Sequence, residues 1–176
     1  MTKKILNMAA AATTQTAVPS GTNGTKTTVH LATDEQPLFS LEFISPEVQA
    51  VLPEGYTIRP LRRSDYHTGY LDVLRVLTSV GEFSVEQWNE RYDWMKQRNG
   101  EYFLVVICDG NDRVVGTGSL IVERKFIRSL GMVGHIEDIA IEKGQQGKKL
   151  GLRMIQALDY VASKVGCYKV CHCLGS

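Results

Sequence analysis

His135-Ile-Glu-Asp-Ile-Ala-Ile-Glu142 runs directly into Lys143-Gly-Gln-Gln-Gly-Lys-Lys-Leu-Gly151. The β-branched Ile136, Ile139 and Ile141 mark a strand from His135 to Glu142, and Gly144, Gly147 and Gly151 mark the loop after it. From Leu150 to Val165, Met154, Leu158, Val161 and Val165 recur at helical spacing, with Gly166 placed to end the helix. A strand that passes through a glycine-rich loop into a helix exposes the unpaired N–H groups of the helix N-terminus. The helix dipole, together with Lys148 and Lys149, favours an anion there. On spacing alone, an ordinary loop with solvated lysines is the more common reading. The segment is not a P-loop, because no Gly stands five residues before a Gly-Lys-[Ser/Thr], and Gly116 with Gly118 lacks the third Gly of a dinucleotide fingerprint.

Outward from this segment the pattern is that of a mixed sheet. Cys167 to Val170 begins a strand after the helix. Upstream, Tyr102-Phe-Leu-Val-Val-Ile-Cys108 is nearly continuous and apolar, as a strand buried on both faces would be. Asp109-Gly110-Asn111-Asp112 is a turn, and Val114 to Glu123 returns as the second arm of an antiparallel hairpin. Tyr56 to Leu61 reads as the first strand, after the Pro-Glu-Gly turn at 53–55. Between them stand two helices: one capped by Asp65 with Tyr70, Leu71, Leu74 and Leu77 on its inner face, and one opened by a Ser84/Gln87 capping box. In the second, Val85, Trp88, Tyr92 and Met95 share a face and Gly100 is the stop, so Trp88 and Tyr92 read as core rather than as a stacking platform. The order strand, two helices, three strands, helix, strand is an α/β mixed sheet flanked by helices.

Composition bounds the function. The 176 residues, 43% hydrophobic and 22% charged, suit one globular domain. Twenty Lys plus Arg against nineteen Asp plus Glu leave +1, so the bulk positive field of a dedicated nucleic-acid binder is absent. No apolar run reaches the length of a membrane span, and Asn7 interrupts the weakly signal-like start after Lys3 and Lys4, so a cytoplasmic protein with no membrane partner is expected. Residues 1–36, rich in Ala, Thr, Ser and Gly, read as a disordered extension ahead of a domain over 37–169. Cys167, Cys171, His172 and Cys173 match no standard zinc spacing, so no metal is expected, and the four histidines suggest no Ser-His-Asp arrangement.

Gln146-Gly147-Lys148-Lys149-Leu150-Gly151 after the HIEDIAI strand resembles the acetyl-coenzyme A pyrophosphate loop of the GCN5-related N-acetyltransferase superfamily, Arg/Gln-x-x-Gly-x-Gly/Ala, with Lys149 where Gly is usual. Further motifs are Tyr56-Thr-Ile-Arg-Pro-Leu61, Val76-Leu-Thr-Ser-Val-Gly81, Ile121-Val-Glu-Arg-Lys-Phe-Ile-Arg128, Gly134-His-Ile-Glu-Asp-Ile-Ala140 and Gly166-Cys-Tyr-Lys169. With them, the chain resembles the glucosamine 6-phosphate N-acetyltransferase branch of that superfamily, in a fungal form. The resemblance implies acetyl transfer from acetyl-coenzyme A to the amine of D-glucosamine 6-phosphate for UDP-N-acetylglucosamine biosynthesis, and a homodimer.

It also implies residue roles. Ile139, Ala140 and Ile141 line the pantetheine arm through their backbone, and Gln146 through Leu152 (Gln146, Gly147, Lys148, Lys149, Leu150, Gly151, Leu152) hold the pyrophosphate. Lys125, Phe126, Ile127 and Arg128 hold the sugar phosphate, and Thr78 contacts the sugar through its hydroxyl, with Glu137, Asp138 and Ile139 also at the sugar; Glu137 and Asp138 orient the attacking amine. Adjacent strand residues face opposite sides, so Glu137 and Asp138 can share a cleft only across a bulge. Beyond Lys169 the family pattern is lost. Val170 to Ser176 reads as an aberrant tail in place of the family's Tyr-bearing last strands, so weak activity and a doubtful dimer are expected of the chain as written. An inactive chain that binds coenzyme A or a full-length subunit, and an acetyltransferase for another small amine, are the alternatives.

Overall fold

A computed structural model describes residues 36–172. The extension expected over 1–36 lies outside the described residues except for Gln36, as do Cys173 to Ser176 of the expected tail.

Strands β1 (Thr57–Pro60), β2 (Tyr102–Cys108), β3 (Val114–Arg124), β4 (Met132–Ile141) and β5 (Cys167–His172) form one sheet in sequence order. The first three pairings are antiparallel, and β4 pairs with β5 in parallel. A parallel neighbour needs a crossover, which is supplied by the helix α5 (Leu150–Val165). Six consecutive residues of β2, Phe103 to Cys108, are buried, as its unbroken apolar run requires.

Each face of the sheet carries helices. Met154, Ala157, Leu158, Val161 and Ala162 of α5 are wholly buried on one face, and Gly166 ends the helix in the left-handed region at φ 93°. On the other face α2 (Tyr70–Leu77) packs on β3 and β4, with α3 (Val85–Lys96) beyond it. The Ser84/Gln87 capping box opens α3, and Trp88 and Tyr92 are buried in the core.

Several boundaries differ from the sequence reading. Asp65 does not cap α2; it is buried in a 3-10 turn, Arg63–Tyr66, and accepts the Arg62 N–H at 2.7 Å. The physical reason is Arg59, a buried guanidinium that takes both Asp65 oxygens at 2.9 and 2.8 Å. Helix α2 starts instead after Gly69, and it buries Tyr70 and Val73 while its last residue, Leu77, is exposed. A short helix α1 (Pro46–Ala50), capped by the Ser45 hydroxyl on Val48 N–H, precedes β1. Strand β4 begins three residues before His135, and a single turn, α4 (Ile127–Leu130), joins it to β3. Val170, Cys171 and His172 continue β5 opposite Gly134, His135 and Ile136.

Candidate active site

The centre of the site is an irregularity in β4. Thr117 pairs with Ala140 but Ser119 pairs with Glu137, so β4 spends one more residue than β3 over the same stretch. That extra residue is accommodated at Asp138, whose φ is 53°. Gly118 stands opposite the bulge. The Ser119 hydroxyl donates to the Glu137 carbonyl at 3.1 Å and pins its near side.

The bulge resolves the facing of the two carboxylates. Glu137 shares the sheet face of its partner Ser119, which alternation makes the face of Thr117 under α2. Asp138 lines a cleft of about 480 Å³ on the same side, walled by Tyr70, Leu74, Val80, Trp88 and Met95. Thr78, at the C-terminal end of α2, is exposed just before Val80. Burial pushes the Tyr70 hydroxyl up to about 12, so it stays protonated beside this cleft at neutral pH. The side chain of Ile139 turns the other way, toward the α5 side where Met154 and Leu158 pack. Pairing with β5 stops at Ile136, so the outer edge of β4 from Glu137 to Ile141 has no strand partner among the described residues. Unpaired backbone groups are therefore available beside the bulge.

Beyond the end of β4 at Ile141, the chain passes through residues 142–149 to the N-terminus of α5. No side chain caps it, and its first backbone bond of the helical kind is Arg153 N–H to the Lys149 carbonyl, at 3.1 Å. The approach is left-handed at Gly147 (φ 83°) and at Lys149 (φ 59°), the position where the family pattern has Gly. A Cβ at Gly147 would meet nothing within 4 Å, so the space in front of the loop is open. Gln146, Lys148 and Lys149 are exposed, Leu152 is half exposed, and Leu150 is buried, so Leu150 can offer a ligand only its backbone. Lys148 Nζ donates to Tyr56 Oη and to Gln145 Oε1, each at 2.6 Å. Tyr56 and Gln145 are site residues that sequence reasoning missed, because they are 89 positions apart and no local signal couples them.

The Lys125 to Arg128 segment lies elsewhere. Lys125 is ion-paired to Glu123, which also holds His135 Nε2 at 3.1 Å and is itself kept below the ordinary carboxylate range by these two partners. Phe126, Ile127 and Leu130 are 94%, 64% and 72% exposed, and Arg128, Ser129 and Leu130 all have positive φ. Arg124 and Met132 close the β3–β4 ladder, and Asp138 stands six residues up β4 from Met132. At the usual strand rise this is about 20 Å. Within one copy, then, Asp138 lines the cleft and Glu137 lies on the same sheet face, whereas the basic turn stands away from both. Among the described residues no three of His, Cys, Asp and Glu gather as a metal site, and no helix is long and apolar enough to cross a membrane.

The chain that builds this bulged β4, glycine loop and uncapped helix matches a known family model, the Acetyltransferase (GNAT) family, over residues 58–175. The chain belongs to the GNAT acetyltransferase family. Among its GNAT relatives is a Candida albicans glucosamine 6-phosphate N-acetyltransferase, 47% identical over 120 residues that make up 68% of this chain and 80% of that protein. A Dictyostelium discoideum glucosamine 6-phosphate N-acetyltransferase 1 is 40% identical over 124 residues, 70% of this chain and 78% of that one. The crystal structure of the Arabidopsis thaliana glucosamine 6-phosphate N-acetyltransferase superposes with a TM-score of 0.67 at 31% identity, covering 69% of this chain and 84% of that chain. These relatives carry the name of the branch that the sequence motifs resemble, and the C. albicans protein among them is fungal.

Proposed function

We infer that the chain transfers the acetyl group of acetyl-coenzyme A to the amine of D-glucosamine 6-phosphate, giving N-acetyl-D-glucosamine 6-phosphate. The observation that carries this reading is the 47% identity to the C. albicans enzyme of that name, across four-fifths of its length. The bulge and the bare β4 edge support it chemically.

The amine attacks the thioester carbonyl directly, so the protein must position two substrates and stabilise an oxyanion. Glu137 and Asp138, on the cleft side of the bulge, orient the amine; as the tetrahedral intermediate collapses the C–S bond breaks, and the expelled coenzyme A thiolate takes up the proton the amine loses and leaves as the free thiol. The backbone of Ile139, Ala140 and Ile141 pairs with the pantetheine arm as a further strand would, and an N–H of this stretch polarises the carbonyl. The α5 N-terminus and the glycine loop, Gln146 to Leu152, hold the diphosphate. Nothing in this scheme requires a metal or an enzyme nucleophile.

Thr78 contacts the sugar, and Lys125 with Arg128 holds its phosphate by charge-assisted bonds. Because their turn stands about 20 Å along β4 from Asp138, it serves the cleft of a second copy. The working form on this reading is a homodimer in the cytoplasm, with the exposed Phe126, Ile127 and Leu130 buried between copies, and the altered segment after Lys169 is expected to weaken both that dimer and the turnover. A panel assay tests the substrate: free thiol released from acetyl-coenzyme A with glucosamine 6-phosphate, with glucosamine, and with a set of small amines. Turnover is expected with the sugar phosphate and poorly with glucosamine; equal rates with glucosamine, or a faster small amine, would overturn the assignment.

A further inference from the structure

We propose that Tyr56 is a positioning residue for coenzyme A capture, acting through Lys148. This rests on the reading that the α5 loop binds the phosphates of acetyl-coenzyme A. Tyr56 lies immediately before β1, far in sequence from that loop, and its backbone is fixed on two sides. Its N–H donates to the Pro53 carbonyl at 3.0 Å, and its carbonyl accepts from Gln49 Nε2 of α1 at 3.0 Å. Gln49 in turn accepts the Ile58 N–H at 2.8 Å, which ties α1 to β1.

From this fixed base the Tyr56 hydroxyl donates to Gln145 Oε1 at 2.7 Å and accepts from Lys148 Nζ at 2.6 Å. The same Gln145 oxygen also accepts from Lys148 at 2.6 Å, so both of its lone-pair sites are used. The ammonium also stands 5.0 Å from the centroid of the Tyr56 ring. A lysine ammonium has three donors, and two are now fixed. The third is left for an anion, on a side chain that would otherwise have to be immobilised at the moment of binding. Lys148 sits in the loop between two left-handed residues, Gly147 and Lys149, so its charge is held beside the α5 N-terminus. The ligand group it meets is a phosphate of coenzyme A, either the diphosphate or the ribose 3′-phosphate.

Calorimetric titration of coenzyme A into the full chain tests this without requiring turnover. Tyr56→Phe keeps the ring and deletes only the hydroxyl; it should weaken binding on the order of five-fold, the usual cost of immobilising one flexible side chain. Lys148→Ala should weaken it at least as much, and the double variant should bind no worse than Lys148→Ala alone. Gln145→Ala is a second way to release Lys148 and should behave as Tyr56→Phe does. Repeating the series with 3′-dephospho-coenzyme A and with pantetheine distinguishes the phosphates. A penalty that disappears with the former assigns Lys148 to the 3′-phosphate, and one that persists there but vanishes with pantetheine assigns it to the diphosphate. A penalty seen with pantetheine, a Tyr56→Phe variant that binds as the parent does, or an equal Tyr56→Phe effect in the Lys148→Ala background overturns the proposal. If the parent chain binds no coenzyme A, the underlying reading of the loop falls with it, whereas binding without a Tyr56 effect overturns only the role of Tyr56.

Discussion

Gly118 faces the bulge across the sheet and α5 across the core, and adding a single methyl there tests both contacts together. A Cβ at Gly118 would stand 2.6 Å from Ile139 Cδ1, 2.8 Å from Met154 Cγ and 2.9 Å from Leu158 Cδ1. Carbon atoms prefer separations of about 3.5–4.0 Å, so each neighbour must retreat by roughly 0.6–0.9 Å or more. Ile139 can turn the end of its side chain, but Met154 and Leu158 are wholly buried and can move only with α5. Overpacking of this kind costs about 1–3 kcal/mol, and removing a strand glycine returns about 0.5 kcal/mol. The net loss for Gly118→Ala is then about 0.5–2.5 kcal/mol, or roughly 2–8 °C in Tm for a domain of this size. The site should suffer more than the fold. Displacing α5 from β4 separates the helix N-terminus from Ile139, and a shift near 1 Å can cost about a hundred-fold in rate. Differential scanning calorimetry and a coenzyme A titration read the two effects, with Gly144→Ala as the control, since a Cβ at Gly144 meets nothing within 4 Å. If Gly118→Ala melts and binds coenzyme A as the parent does, the close approach of α5 to the bulge does not set the site geometry.

Asp65→Ala should destabilise by about 3–5 kcal/mol in urea unfolding, because it leaves the Arg59 guanidinium, 7% exposed, without its bidentate partner. Replacing Lys125 and Arg128 together with Ala should raise KM for glucosamine 6-phosphate at least about ten-fold through lost charge-assisted bonds, with KM for acetyl-coenzyme A little changed. Equal effects on both constants would point to misfolding. Stability should also fall as pH rises above the ordinary values of 9.0 for Cys108 and 10.0 for Tyr70, since burial pushes both groups up to about 12. In that window the folded chain keeps protons that the unfolded chain has lost, which costs at most about 1.4 kcal/mol per pH unit per group. Cys108→Ala should flatten the alkaline limb of a denaturation series between pH 9.0 and about 12.

The elements that were legible in the sequence are those set by local chemistry. The unbroken apolar run of β2, the Ser84/Gln87 box and the glycine after Val165 each declare themselves within a few residues. Helix α1 also carried a local signal, Ser45 followed by Pro46 at the first turn, but it is only five residues long and shows no apolar period. Asp65 misled because a carboxylate before a helical pattern resembles a cap, while the burial of Arg59, six residues upstream, claims it. The bulge at Asp138 has no local mark, since it arises from how β4 registers against β3, and it decides which way Glu137 and Asp138 face. The same holds for Tyr56, Gln145 and Lys148, which meet only when β1 and the α5 loop are folded. The family motifs supplied the residues of the site, whereas the distance along β4 between the basic turn and the bulge required the fold.

Acetyl-coenzyme A labelled in its acetyl group, incubated with the chain in the presence and absence of glucosamine 6-phosphate, tests the account most directly. With the sugar phosphate present, mass spectrometry should find the label on the sugar nitrogen and none on the protein; without it, acetyl-coenzyme A should remain essentially intact. Label that accumulates on the protein when the sugar is withheld would contradict direct attack across the bulge, and an unlabelled sugar phosphate would contradict the assigned reaction itself.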